Sequence, residues 1–83
     1  MHDDILALAQ LLSCPTRLAA LRAVADGGRG VTEVARVTGV AVSTASHHLG
    51  KLHAAGMVRF QRRGRRRVYR LGRRRFYFAA EES

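Results

Sequence analysis

A change of hydrophobic period at Gly56 constrains this chain more than any other feature. Before it, apolar residues recur every three or four positions, as on one face of a helix; after it they alternate, as on one face of a strand. Several short helices must therefore come first and a small antiparallel element last. Ile5, Leu8, Leu11 and Leu12 predict a helix over residues 3–12, with Asp3 and Asp4 in its favourable first turn. Pro15 restarts the chain as the first residue of a second helix, whose face is Leu18, Leu21, Val24 and Ala25 and which stops near Asp26, before Gly27 and Gly28. Residues 29–31 read as a loop. Thr32 then stands as the N-cap of a short helix carrying Val34, Ala35 and Val37, which Gly39 closes. After a tight turn at residues 40–42, Ser43 reads as the cap of a fourth helix with Ala45, Leu49 and Leu52 inward and its end at Gly56.

Residues 57–61 and 67–71 read as the two strands, with Val58 and Phe60 on one side of the first and Tyr69 and Leu71 inward on the second. Residues 62–66 form the hairpin tip, where Gly64 supplies a positive φ. Phe76, Tyr77 and Phe78 fit a short C-terminal helix better than a strand and suit a dimer interface better than base stacking. The 83 residues allow a single domain spanning 1–83, without repeats or linkers.

Charge decides the class of partner. Residues 1–33 sum to −1 and residues 34–83 to +10, within a net charge of +9. Ten arginines fall between Arg59 and Arg75, and no acid occurs between Glu33 and Glu81. Such uncompensated repulsion calls for a polyanion, and nucleic acid ranks ahead of an anionic membrane surface. Arginine outnumbers lysine fourteen to one, which suits bidentate phosphate and guanine contacts, although a GC-rich genome has the same effect. No apolar run approaches the ~20 residues of a membrane span. The acidic start is unlike a signal peptide, and the single cysteine fits a reducing, cytoplasmic and nucleoid-associated location. There is no carboxylate pair, nucleophile–base set or ligand cluster, so an enzyme is not expected, nor a cofactor.

The order of elements is that of a winged helix-turn-helix: four helices, a two-stranded wing and a short C-terminal helix, mainly α with a small β-hairpin. Ser43, Thr44, Ser46, His47 and Lys51 lie opposite the apolar face of the fourth helix or at its start, where a major groove would meet them. Arg62, Arg63, Arg65, Arg66 and Arg67 surround the wing turn, and no core accepts five guanidinium groups. They are expected to hold phosphates more than to read bases.

Five segments then carry a resemblance to the ArsR/SmtB family of repressors. They are Leu12-Ser13-Cys14-Pro15-Thr16-Arg17-Leu18, Val31-Thr32-Glu33-Val34-Ala35, Ser43-Thr44-Ala45-Ser46-His47-His48-Leu49, Ala55-Gly56-Met57-Val58, and Gly64-Arg65 leading into Val68-Tyr69-Arg70-Leu71. The resemblance implies a homodimer on an inverted-repeat duplex DNA operator, repressing transcription and often released by an effector, here unknown. Positions matching the family's metal-binding cysteines are Gly30 and Thr32, and no histidine follows His53 to make its other metal site. No metal is therefore expected. Cys14 replaces an acid and Gly50 a longer, often basic residue. Cys14 reads as a small buried hydrophobe or, before a helix N-terminus, a redox sensor. His47 is expected on DNA, His48 in packing or against phosphate, and His53 at the surface. Two other readings stay open: a plasmid or phage segregation or architectural DNA-binding protein of the same fold, and a module docking an acidic protein.

Overall fold

Pro15 opens a helix without loss, because a residue lacking an N–H and holding φ near −65° suits the first helical position. In the computed structural model, which describes residues 6 and 9–72, this is helix α1, Pro15–Ala25. Strand β1, Arg29–Gly30, follows, then helices α2, Val31–Thr38, and α3, Val42–Ala54, and strands β2, Val58–Arg63, and β3, Arg66–Leu71. Ahead of α1, residue 6 and residues 9–11 are helical, as predicted there. Ile5, Leu8, the tail aromatics and the predicted C-terminal helix lie outside the described residues. No helix among the described residues is long and apolar enough to cross a membrane.

Of the expected loop at 29–31, Arg29 and Gly30 instead form an edge strand and Val31 opens α2. Arg29 pairs with Tyr69 and Gly30 with Val68, giving an antiparallel sheet in the order β1-β3-β2. This pairing makes Gly30 the residue before α2, so Thr32 falls inside the first turn and no side chain caps the helix. Likewise α3 begins at Val42 after Ala41, so Ser43 lies in its first turn and caps nothing. The connection between α2 and α3 shrinks to residues 39–41. Gly39 makes that turn possible at φ 75°, a left-handed conformation that a side chain resists. Its N–H and that of Val40 both donate to the Ala35 carbonyl, at 2.9 and 3.1 Å, and so satisfy the end of α2.

The core joins α1, α2 and α3 to the root of the sheet. Ala20, Ala23 and Val24 from α1, Val34 and Ala35 from α2, and Ala45, Leu49 and Leu52 from α3 are buried with Met57, Val58 and Tyr69. The face of α1 is rotated from the one predicted: Ala25 is exposed and Leu18 half-buried, while two alanines bring the backbone close to its neighbours. Leu71, expected inside, is 42% exposed, and Val37 of α2 is 52% exposed. Alternation sets the side of the sheet on which Leu71 lies, but burial needs something packed over that position, and Leu71 ends its strand.

The wing turn is tighter than expected. Arg63 pairs with Arg66, leaving only Gly64 and Arg65 as the loop, with Gly64 at φ 65°. Arg62, Arg63 and Arg66 therefore join Arg67 in the strands and do not belong to the tip, and the pleat divides the four. Register puts Arg62 and Arg67 on the face of Phe60 and Tyr69, and Arg63 and Arg66 on the face of Gln61 and Val68.

Candidate nucleic-acid interface

The outward side of α3 follows from its inward one. Ala45, Leu49 and Leu52 are at most 1% exposed, which fixes the helix rotation. Ser43, Thr44, Ser46, His47, Gly50 and Lys51 are accordingly all exposed. A cleft of about 730 Å³ opens between this helix, α2 and the wing. Val42 and Ser46 line it from α3, Glu33 and Arg36 from α2, and Arg62, Arg65, Arg66 and Arg67 from the wing. Ser46 and four of the five wing arginines are thus brought together. Ser43, Thr44, His47, Lys51 and Arg63 are outside the cleft lining, on the exposed surfaces of α3 and the wing.

The cleft has an excess of cations. Its one acid, Glu33, accepts a hydrogen bond from Arg29 Nη1 at 2.8 Å and lies 3.8 Å from Arg36. Among the described residues these are the only ion pairs, so no wing arginine is neutralised there. Two wing guanidinium groups are nevertheless positioned by the protein. Arg67 lies 4.4 Å from the centroid of Phe60, a cation–π contact, and Phe60 packs on Tyr69 and His53 at 5.3 and 5.0 Å. Arg66 crosses the backbone at Gly30, where a Cβ would stand 2.9 Å from its Nη2. Both contacts lie within two residues of the wing turn, so cations near the tip also pack on the protein.

Behind α3 stands a contact that sequence reasoning missed. Arg17 Nε donates to His48 Nδ1 at 3.4 Å, and Arg17 Nη1 donates to the Leu11 carbonyl at 3.0 Å. His48 is half-buried, and burial, then the Arg17 charge, then His47 hold its pKa below the ordinary value. A neutral ring is the form that accepts from Arg17. The signal was present in Pro15-Thr16-Arg17-Leu18, but spacing alone cannot pair residues 31 apart. His53 is exposed at the surface, as expected. Cys14 is half-buried and free, immediately before α1.

Three core helices, a three-residue turn between α2 and α3, and a cationic two-stranded hairpin define a winged helix-turn-helix domain. The profile of the bacterial regulatory protein, arsR family, matches residues 14–59, and the chain belongs to that family. It is 36% identical over 72 residues to the uncharacterized HTH-type transcriptional regulator YdfF of Bacillus subtilis, covering 86% of this chain and 32% of YdfF. It is 35% identical over 69 residues to the HTH-type transcriptional regulator Rv0324 of Mycobacterium tuberculosis, covering 83% of this chain and 30% of the relative. The chain thus spans about a third of the length of these curated relatives. Among solved structures, the homodimeric winged helix-turn-helix DNA-binding domain of Mb0332 from Mycobacterium bovis superposes with a TM-score of 0.75 at 35% identity, over 83% of this chain and 64% of that one. The transcriptional repressor BigR of Xylella fastidiosa gives 0.77 at 30% identity, over 84% and 71%. The family is one of bacterial regulatory proteins, and these curated relatives are named as regulators of transcription.

Proposed function

We propose that residues 1–83 form one domain that binds double-stranded DNA in a sequence-specific way as a homodimer and represses transcription. In this reading α3 enters the major groove with Ser43, Thr44, Ser46 and His47 nearest the bases. Lys51, Arg62, Arg63, Arg65, Arg66 and Arg67 hold phosphates on either side. The observation that carries it is the cleft in which Ser46 of α3 faces wing arginines with no acid partner among the described residues. A duplex backbone supplies the missing anions, and the adjoining helix supplies the reader.

Homodimerisation draws support from the homodimeric Mycobacterium bovis domain, and repression from the repressor BigR. The metal-independent character rests on Gly30 and Thr32, which offer no thiolate where metal-sensing relatives have one. Two half-sites then lie about one helical turn, ~10 bp, or a small multiple apart. The test is fluorescence anisotropy with a selected operator and a random duplex across a salt series. About eight phosphates per dimer give a slope of log affinity against log salt near −7. Changing His47 to Ala weakens operator binding more than random binding. Absence of any binding to duplex at low salt overturns the reading.

A further inference from the structure

From the position of Val42 we infer that it is a specificity-determining residue that reads a thymine 5-methyl group in each half-site; this rests on the duplex-binding function proposed above. Residue 42 belongs to α3 as its first helical residue, following Ala41. Residues at the start of a recognition helix are those that approach base edges. Val42 is 48% exposed and is absent from the hydrophobic core and from the partly buried residues packed against it. Its packing therefore gives little reason for an apolar, β-branched side chain, which has modest helix propensity. Val37 is still more exposed, at 52%, but it is not part of the cleft, whereas Val42 is.

The surroundings narrow what Val42 can meet. Within the cleft it shares a helix with Ser46, one turn on, and faces a wing whose lining is largely guanidinium. Ser43, Thr44 and Ser46 carry hydroxyls, which donate and accept alike and discriminate poorly among bases. Arginines favour guanine or phosphate. In the major groove the apolar group a base can offer is the thymine methyl, and Val42 is the wholly apolar side chain that the exposed start of α3 brings to the cleft to meet it, beside the smaller methyl of Thr44.

The experiment starts from an operator selected by the full chain from random duplexes. Each thymine is then replaced in turn by deoxyuridine, which removes the methyl and keeps every hydrogen-bonding group. Wild-type protein should lose about four-fold in affinity at one thymine per half-site, the worth of burying one methyl group. Val42→Ala, an exposed position where alanine favours the helix, should bind the thymine operator about four-fold more weakly per half-site and no longer distinguish thymine from uracil there. Circular dichroism checks that the variant is folded, and Val42→Thr, which keeps one methyl and the branched shape, should show a smaller loss of thymine preference than Val42→Ala. Three results would overturn the inference: a consensus without thymine, indifference of the wild type to every substitution, or an undiminished thymine preference in both variants. Failure of the chain to select any duplex sinks the proposed function itself, which keeps the two failures apart.

Discussion

The helical half and the wing use the same side chain in opposite ways. In the helical half arginine is a brace: Arg17 binds the Leu11 carbonyl and His48, and Arg29 binds the Ala23 carbonyl and Glu33. These two guanidinium groups join segments that the chain visits at different times. In the wing Arg62, Arg63 and Arg65 are exposed, with no acid to meet them among the described residues. Position in the fold, and not residue type, decides whether a cation stabilises the protein or is available to a partner. Arg66 and Arg67 stand between these extremes, exposed yet laid along Gly30 and Phe60.

The largest effect should separate the two halves outright. Changing Arg65 and Arg66 together to Ala should lower duplex affinity by roughly 100-fold at low salt and make the salt slope shallower by about 3 to 4 for a dimer, while thermal unfolding stays close to wild type. An unaltered slope would mean that the wing does not hold phosphates. Arg29→Ala should do the converse, lowering stability by about 1–2 kcal/mol in urea titration with little change in the salt slope, because Glu33 and the Ala23 carbonyl lose their donor. Equal losses of affinity and stability in both variants would erase the distinction drawn here.

The smallest expected effect concerns pH. His48 titrates lower in the folded chain than its ordinary 6.5, so the folded state binds fewer protons than the unfolded state just below that value. Stability should therefore be complete above about pH 6.5 and decline as pH falls from there toward the lower folded value. The His48→Gln variant, measured by the same urea titration at several pH values, should lose part of that decline. A wild-type protein whose stability is level across the interval would show that the Arg17–His48 contact carries no net preference for the neutral ring.

Local signals read well wherever one element suffices to define them. The inward face of α3, the glycine turn after α2 and the switch to alternation at Gly56 follow from spacing and from residues with unusual backbone freedom. Thr32 and Ser43 resemble caps without being caps, because a hydroxyl near a helix start has that signature wherever it falls within the first turn. What moved the start of α2 was the pairing of Gly30 with Val68, a contact across most of the chain. The wing tip is shorter than the 62–66 expected for a similar reason, since register across the hairpin, and not composition, pairs Arg62 with Arg67 and Arg63 with Arg66.

The amino-acid order by itself determined the helices, the wing, their family and the excess of positive charge, because hydrophobic period, glycine placement and net charge are properties of neighbours along the chain. Only the tertiary structure decided which arginines are braces and which are free, that Val42 opens α3 and lines the cleft, and that Arg17 supports His48 from behind. Those facts depend on distances between residues far apart in the chain, and such distances exist only once packing has set the angle of each helix against the sheet.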